Sequence, residues 1–368
     1  MHLATFPRFR SAGVRVILIC FFCVSTLAAA SQTSPSAPNP DAQTPGNTST
    51  AQPQTAPSQP PSSTPPPPTA PRQAGGQDPL GQSAGGDDQE SMFVFKKQVE
   101  EVVLHATVVD DRRVLVPNLD RSAFSVFQDG APQTVTSFRR EDVPVALGIV
   151  IDNSGSMRDK REKVNQSVMN LIRASNPQDE IFVVNFSQSY YLDQDFTSNP
   201  NWLEAALHQV SMKGSTALYD AVVASAVHLQ NNPRLDKKVL LVITDGCDNM
   251  SQETLQEAAR RLQRSNGPTL YAVGLLGGGM SSTGRAALQS LADATGGVAF
   301  FPETLDQVDE ITRTVARDIR SQYTIAYKPQ NQNTKPAYQS IRVEARAPGY
   351  GSLLVRTRSG YYGEENAR

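Results

Sequence analysis

A continuous apolar run that ends on a carboxylate is the feature that most constrains this chain. Residues 146–151 read Ala-Leu-Gly-Ile-Val-Ile, and Asp152 follows them directly. A run without polar interruption is typical of a strand that is buried on both faces, as in a parallel sheet. Ligands of open α/β sheets lie at the carboxyl ends of such strands. We therefore expect Asp152 to lie at a ligand-binding edge.

Two hydroxyl side chains follow this carboxylate at alternate positions. Ser154 and Ser156 lie just beyond Asp152, so residues 152–156 offer three oxygen ligands close together. Oxygen ligands suit a hard cation such as Mg²⁺, which prefers octahedral geometry and usually keeps some of its waters. A motif this short also arises by chance, so its meaning depends on the rest of the chain.

A second buried strand supplies that context. Residues 239–243 read Val-Leu-Leu-Val-Ile, and Asp245 follows shortly after them. In a parallel sheet, Asp245 should lie at the same edge as Asp152. Thr216 adds a hydroxyl in a loop that enters a helix. We expect three loops to meet around one cation, through the side chains of Asp152, Ser154, Ser156, Thr216 and Asp245.

Strands and helices alternate over residues 143–320. The apolar patterns predict strands at 145–151, 180–186, 238–244, 269–275 and 298–301. They predict helices at about 160–174, 202–209, 217–229, 252–265, 284–294 and 305–320. Such alternation predicts an α/β fold of the doubly wound, Rossmann-like kind, with a mostly parallel sheet and helices on both faces.

Short β-branched and aromatic runs flank this core on both sides. They lie in an N-terminal β segment, 91–142, and a C-terminal β segment, 321–363, with a tail at 364–368. We expect the two segments to pack together as one small antiparallel β subdomain, which would bring the two ends of the core together.

The N-terminal third of the chain reads as an export signal and a linker. Residues 1–30 combine basic residues, a short apolar run and Ala28-Ala29-Ala30, as in a cleaved signal peptide. An uncleaved membrane anchor is the alternative, and membrane contact is expected only in that case. Residues 31–90 are rich in Pro, Ser, Thr, Gln and Gly and predict a disordered spacer or a tail without a spacing role. We expect a periplasmic, cell-envelope or secreted protein.

Composition and missing motifs narrow the functional classes. The net charge is −2, and no basic cluster with interleaved aromatic residues suggests a nucleic-acid partner. The sequence holds no H-E-x-x-H, G-x-S-x-G or G-x-x-x-x-G-K-[ST] motif. After cleavage Cys247 would be the one remaining cysteine, so no internal disulfide is expected. We expect Cys247 to be a small buried hydrophobe, with an intermolecular bridge as the alternative.

The five oxygen-bearing residues, in this order, resemble the von Willebrand factor A (VWA) domain. Its metal-ion-dependent adhesion site (MIDAS) has the pattern Asp-x-Ser-x-Ser, then Thr, then Asp, and each position is met here. "Asp-Asn-Ser-Gly-Ser-Met" and "Thr-Asp-Gly" match the usual surroundings. The resemblance covers about 143–320. The whole layout is similar to an acidobacterial family of exported VWA-related proteins, through Phe-Gln-Asp-Gly at 127–130 and Arg-Ser-Gly-Tyr-Tyr at 358–362.

The resemblance implies a divalent metal, usually Mg²⁺, with Mn²⁺ and Ca²⁺ as alternatives, and a protein ligand that presents Asp or Glu. The function it implies is an exported adhesion or protein-interaction module and not an enzyme. Three alternatives stay open: serines that only cap the next helix, an envelope scaffold whose metal is structural, and a metal-dependent hydrolase.

Overall fold

The structure is a computed structural model that describes residues 101–140, 142–209, 214–232, 234–275, 280–330 and 337–363. Several predicted features lie outside these residues: the signal peptide, the spacer, the first residues of the N-terminal β segment and the tail. Whether the signal is cleaved and whether the spacer is disordered therefore stay predictions.

Fourteen strands and six helices make up the described part of the chain. The strands are β1 (Val102–Val109), β2 (Phe124–Gln128), β3 (Ala131–Gln133), β4 (Val135–Arg139), β5 (Val145–Asp152), β6 (Glu180–Phe186), β7 (Tyr190–Thr197), β8 (Lys237–Thr244), β9 (Thr269–Gly274), β10 (Ala299–Phe300), β11 (Tyr323–Tyr327), β12 (Tyr338–Ala345), β13 (Leu354–Arg356) and β14 (Gly360–Tyr362). The helices are α1 (Arg161–Arg173), α2 (Pro200–His208), α3 (Leu218–Gln230), α4 (Leu255–Leu262), α5 (Ser282–Thr295) and α6 (Gln307–Arg320). Among the described residues, none of these helices is long and apolar enough to cross a membrane.

The central sheet has six strands in the order β10-β9-β8-β5-β6-β7. All neighbouring pairs are parallel except β6 and β7. Every residue of β5 and of β8 is buried, as their uninterrupted apolar runs predict. The sequence pattern does not predict β7, because Asp193, Gln194 and Asp195 interrupt its apolar residues and most of the strand is exposed or half-buried at the sheet edge.

Helices cover both faces of this sheet. One apolar core joins the sheet to α1, α2 and α6 and contains Val164, Leu203 and Val315. The other joins the opposite face to α3, α4 and α5 and contains Val222 and Leu288. The predicted fold class, an α/β doubly wound and mostly parallel sheet with flanking antiparallel β structure, is confirmed.

Strands from before and after the core pair with one another. β1 lies between β13 and β11, and β4 lies on the far side of β11, all antiparallel. A second four-stranded sheet has the order β14-β12-β2-β3. One apolar cluster draws on both sheets and includes Leu104, Val126, Ile325 and Val343. The flanks therefore form two small sheets on a shared core.

Two arginine side chains attach this flanking structure to the core. The Arg358 guanidinium donates to the carbonyl oxygens of Ser265 at 2.7 Å and Gly267 at 2.6 Å, beyond the end of α4. Arg356 donates to both carboxylate oxygens of Asp318 on α6, each at 3.0 Å. Asp318 also accepts from the Tyr271 hydroxyl of β9 at 2.9 Å.

A partly buried histidine in β1, His105, makes the fold sensitive to acid. Burial lowers the pKa of His105 to about 3, and the positive charges of Lys237 and Arg358 act in the same direction. The unfolded chain takes up this proton at about pH 6.5. Between these pH values only the unfolded state binds the proton, so stability falls as the pH falls.

We expect His105→Gln to reduce the loss of unfolding free energy between pH 7 and pH 5 by roughly 1–2 kcal/mol, because the substituted side chain does not titrate. Urea unfolding at the two pH values measures this difference. His208→Gln, at an exposed position that ends α2, is the control and should behave like wild type. If the unfolding free energy of His105→Gln depends on pH as that of wild type does, His105 is not the source of the acid sensitivity.

Candidate metal site

The five predicted residues come together at the carboxyl edge of β5 and β8. Asp152 is the last residue of β5 and Asp245 follows the last residue of β8, and both are 0% exposed. The pairing of Ile151 with Ile243 brings the two strand ends side by side. Both carboxylates therefore lie at the same edge of the sheet, shielded from solvent.

A continuous series of hydrogen bonds links four of the five residues. The Ser154 backbone N–H donates to Asp152 Oδ1 at 2.8 Å. The hydroxyl oxygens of Ser154 and Ser156 are 3.1 Å apart, and Ser156 Oγ donates to Asp245 Oδ1 at 2.7 Å. Ser154 is buried, whereas Ser156 is exposed on the short 3₁₀ turn that leads toward α1. Ser156 therefore forms the rim through which solvent reaches the site.

Thr216 faces the same space from a third loop. A Cβ atom placed on Gly246 would lie 3.3 Å from Thr216 Oγ1 and 4.0 Å from Asp152 Oδ2. The missing side chain of Gly246 thus leaves open a small volume between a hydroxyl and a carboxylate. A larger residue at this position would fill the place where a cation could contact both oxygens.

Backbone hydrogen bonds hold the Thr216 loop against the loop after β8. The Thr216 N–H donates to Asn249 Oδ1 at 2.8 Å, and the Asn249 N–H donates to the Thr216 carbonyl at 3.0 Å. Asp248 accepts from the Tyr219 N–H at 2.9 Å. Asp220, at the start of α3, accepts in return from backbone N–H groups of the β8–α4 loop at 2.8 and 3.1 Å. These bonds hold Thr216 against the loop that follows β8.

Burial dominates the electrostatics of Asp152. Its pKa is raised by burial, and the negative charge of Asp245 acts in the same direction. Hydrogen bonds from Thr244 and Ser154 oppose this shift by favouring the ionised form. The Thr244 bond is short, with Oγ1 2.6 Å from Asp152 Oδ2. A cation bound here would relieve the repulsion between the two carboxylates.

Two basic residues that the sequence analysis missed lie against the site. The Lys160 ammonium forms an ion pair with Asp245 Oδ2, and its side chain is 14% exposed. The buried Arg161 guanidinium donates to the Asp152 carbonyl at 3.0 Å, and burial lowers the pKa of Arg161 to about 10. In the sequence Arg-Asp-Lys-Arg-Glu-Lys reads as an exposed helix start, so no local signal marks these two side chains.

The donor set fits a hard divalent cation. Among the described residues no group of three or more His, Cys, Asp and Glu could hold a metal, so the two carboxylates would depend on neighbouring hydroxyls as further ligands. Carboxylate and hydroxyl oxygens are the ligands that Mg²⁺, Mn²⁺ and Ca²⁺ prefer. In this structure the ammonium of Lys160 already neutralises Asp245.

The environment of Cys247 differs from the buried hydrophobic one expected. The residue is only partly buried, because it lies on the loop just beyond Asp245. Its sulfur is 3.1 Å from the Ser281 hydroxyl, and the Ser281 N–H donates to it at 3.4 Å. Cys247 therefore makes polar contacts with the start of α5.

The site combines two buried carboxylates with three hydroxyls at the carboxyl edge of a doubly wound sheet. Residues 147–247 match the family model of the von Willebrand factor type A domain. This stretch runs from β5 to the loop after β8 and contains all five predicted positions. The match places a VWA domain in this part of the chain. No curated protein matches the sequence.

The solved structures that match this chain include matrix and bacterial proteins. Proximal thread matrix protein 1 of the mussel byssus is 17% identical, with a TM-score of 0.43 over 51% of this chain and 50% of that one. A form of that protein with a zinc-occupied MIDAS motif has a TM-score of 0.42 at 17% identity, over 51% and 48% of the two chains. A von Willebrand factor type A protein from Catenulispora acidiphila is 16% identical, with a TM-score of 0.42 over 74% and 76%. The chain thus spans about half the length of the mussel protein.

Thr244→Val tests the support of the buried carboxylate. The substitution keeps the shape of the side chain but leaves Asp152 Oδ2 without its donor and the Gly246 N–H without its 3.2 Å acceptor. We expect a loss of about 1–3 kcal/mol of unfolding free energy in the presence of chelator, measured by urea unfolding.

Ser225→Ala is the matched control for this experiment. The Ser225 hydroxyl is also buried, but it has no hydrogen-bond partner among the described residues, so its removal should cost little. If the two variants lose the same amount of unfolding free energy, the Thr244 hydroxyl does not support Asp152.

Proposed function

We propose that the chain is an exported protein-interaction module that binds an acidic side chain of a partner protein through a divalent cation, most simply Mg²⁺. The observation that carries this proposal is the convergence of five oxygen-bearing side chains, from three loops, on one space at the edge of the sheet. Export rests on the N-terminal pattern of the sequence, which lies outside the described residues.

Each residue has a separate role in this proposal. Asp152 and Asp245 supply the negative charge that attracts the cation. Ser154, Ser156 and Thr216 supply neutral oxygens, so the protein leaves more positive charge uncompensated than a cage of carboxylates would. A divalent ion held there would present that charge, and an open coordination position, to an external carboxylate. Ser156 is exposed, so the partner would approach from its side.

Exposed apolar side chains lie at the same edge of the sheet. Asp152 is in register with Phe186 of β6, which is in register with Tyr190 of β7. Tyr190 and Tyr191 are exposed there, and so is Met250 on the loop after Asp245. Exposed aromatic residues are typical of protein interfaces. A partner segment with an acidic residue between apolar ones fits this surface.

Binding accounts for the site better than catalysis. The hydroxyl of Thr244 and the ammonium of Lys160, which are the groups nearest the two carboxylates, are engaged in supporting them. Hydrolysis would require an acid or a base beside the substrate, and in this structure both groups are held by the carboxylates. Metal-dependent turnover in a phosphatase and esterase screen, lost in Asp245→Ala, would establish the hydrolase alternative instead.

Asp152→Asn tests the metal-bridged mechanism. We expect the wild-type chain to bind Mg²⁺ or Mn²⁺ in isothermal titration calorimetry, and we expect the variant to lose at least about a hundredfold in affinity, because a direct ligand matters more than supporting residues do. Asp306→Ala is the control, since that carboxylate is 89% exposed and pairs with Lys163 away from the site. Far-UV circular dichroism checks the fold of each variant.

A pull-down from envelope extract, with and without chelator, tests for the partner protein. We expect capture to be lost in chelator and in Asp152→Asn. Capture that persists in both would contradict a metal bridge. If metal binding is lost while capture persists, and removal of the flanking strands abolishes capture, the scaffold alternative with a structural metal is correct.

A further inference from the structure

Lys160 is a half-buried charge that the proposed function does not use. It precedes α1, and its backbone N–H donates to the Met157 carbonyl at 3.0 Å. Its ammonium contacts two acceptors, Asp245 Oδ2 and the Ser156 carbonyl, the latter at 3.4 Å. The lysine thus reaches into the site from the turn that carries two of the predicted ligands.

Both carboxylate oxygens of Asp245 already accept from a neighbouring donor. Oδ1 accepts from the Ser156 hydroxyl, and Oδ2 accepts from Lys160. A divalent ion that bound the carboxylate would lie within a few ångströms of the ammonium. Two positive charges at such a distance repel each other.

We propose that Lys160 is a tethered cation that neutralises Asp245 in the metal-free protein and must be displaced when the metal binds. This inference rests on the proposed metal site. The lysine keeps two buried carboxylates compatible with folding at low metal concentration, and it lowers the metal affinity by the free energy of the contacts that are lost on displacement.

The local structure allows this exchange. The backbone of Lys160 is held by its bond to Met157, which is itself 0% exposed, so the side chain can leave without unfolding the turn. The lysine side chain is 14% exposed and Ser156 is exposed, so the ammonium has a short path to water. A lysine stem can remain packed while its charged end moves into solvent.

Metal titrations of the full-length chain test the proposal. We expect Lys160→Met to bind Mn²⁺ and Mg²⁺ about tenfold or more tightly than wild type in calorimetry, because the competing charge is gone. Lys160→Arg keeps the charge and should stay near wild type. Lys163→Met is the matched control, since Lys163 lies one turn further along and pairs with the exposed Asp306.

Amine labelling with mass spectrometry gives a second readout, which does not depend on a variant that folds. In wild-type protein we expect modification of Lys160 to be slow in chelator and at least several-fold faster with saturating Mn²⁺, while Lys163 is unchanged. Equal or weaker metal binding by Lys160→Met, or labelling that does not respond to metal, would overturn the inference.

The outcomes separate this inference from the proposed function. If wild type binds metal and Asp152→Asn does not, while Lys160→Met equals wild type, only the role of Lys160 fails. If neither wild type nor Lys160→Met binds metal while both are folded, the metal site itself fails. Binding by Lys160→Met alone would support the tethered cation in its strongest form.

Discussion

Asp152 and Asp245 are carboxylates that the chain buries completely, side by side, at the ends of two adjacent strands. Burial of unpaired charges of the same sign is strongly unfavourable, so the surrounding structure has to compensate it. The compensation comes from the Thr244 hydroxyl, the backbone of Ser154 and the ammonium of Lys160. A cation bound at such a site would stabilise the fold and, under the proposed function, the contact that it mediates.

The loops around these carboxylates are tied to one another and not only to their own strands. Asn249 and Asp248 bind the backbone at the start of α3, and Asp220 binds the backbone of the loop that carries Asn249. Arg161 holds the Asp152 carbonyl from α1. Because the three loops share these bonds, they hold the five predicted side chains in place together.

The strands that flank the core pair with one another, although they lie on opposite sides of it in the sequence. β1 precedes the VWA segment and β11 and β13 follow it, yet they are neighbours in one sheet. Arg358 and Arg356 then join this β structure to the loop after α4 and to α6. These contacts lie toward the amino ends of the parallel strands, where β9 begins at Thr269, whereas Asp152 and Asp245 lie at the carboxyl ends. A partner bound at the proposed metal site would leave the flanking sheets free.

The sequence alone determined the class of fold and the sheet edge at which Asp152 and Asp245 lie. Uninterrupted apolar runs indicated strands buried on both faces, and their carboxyl ends named Asp152 and Asp245. The exposed strand β7 was missed, since its acidic residues break the apolar pattern that marks a strand. The contact between Lys160 and Asp245 could not be predicted from the sequence either, because the two residues are 85 positions apart in the chain. Only the packing of α1 on the sheet aims this ammonium at the carboxylate. Periodicity reports which face of an element is buried, whereas the contact between two distant polar side chains depends on how those elements pack.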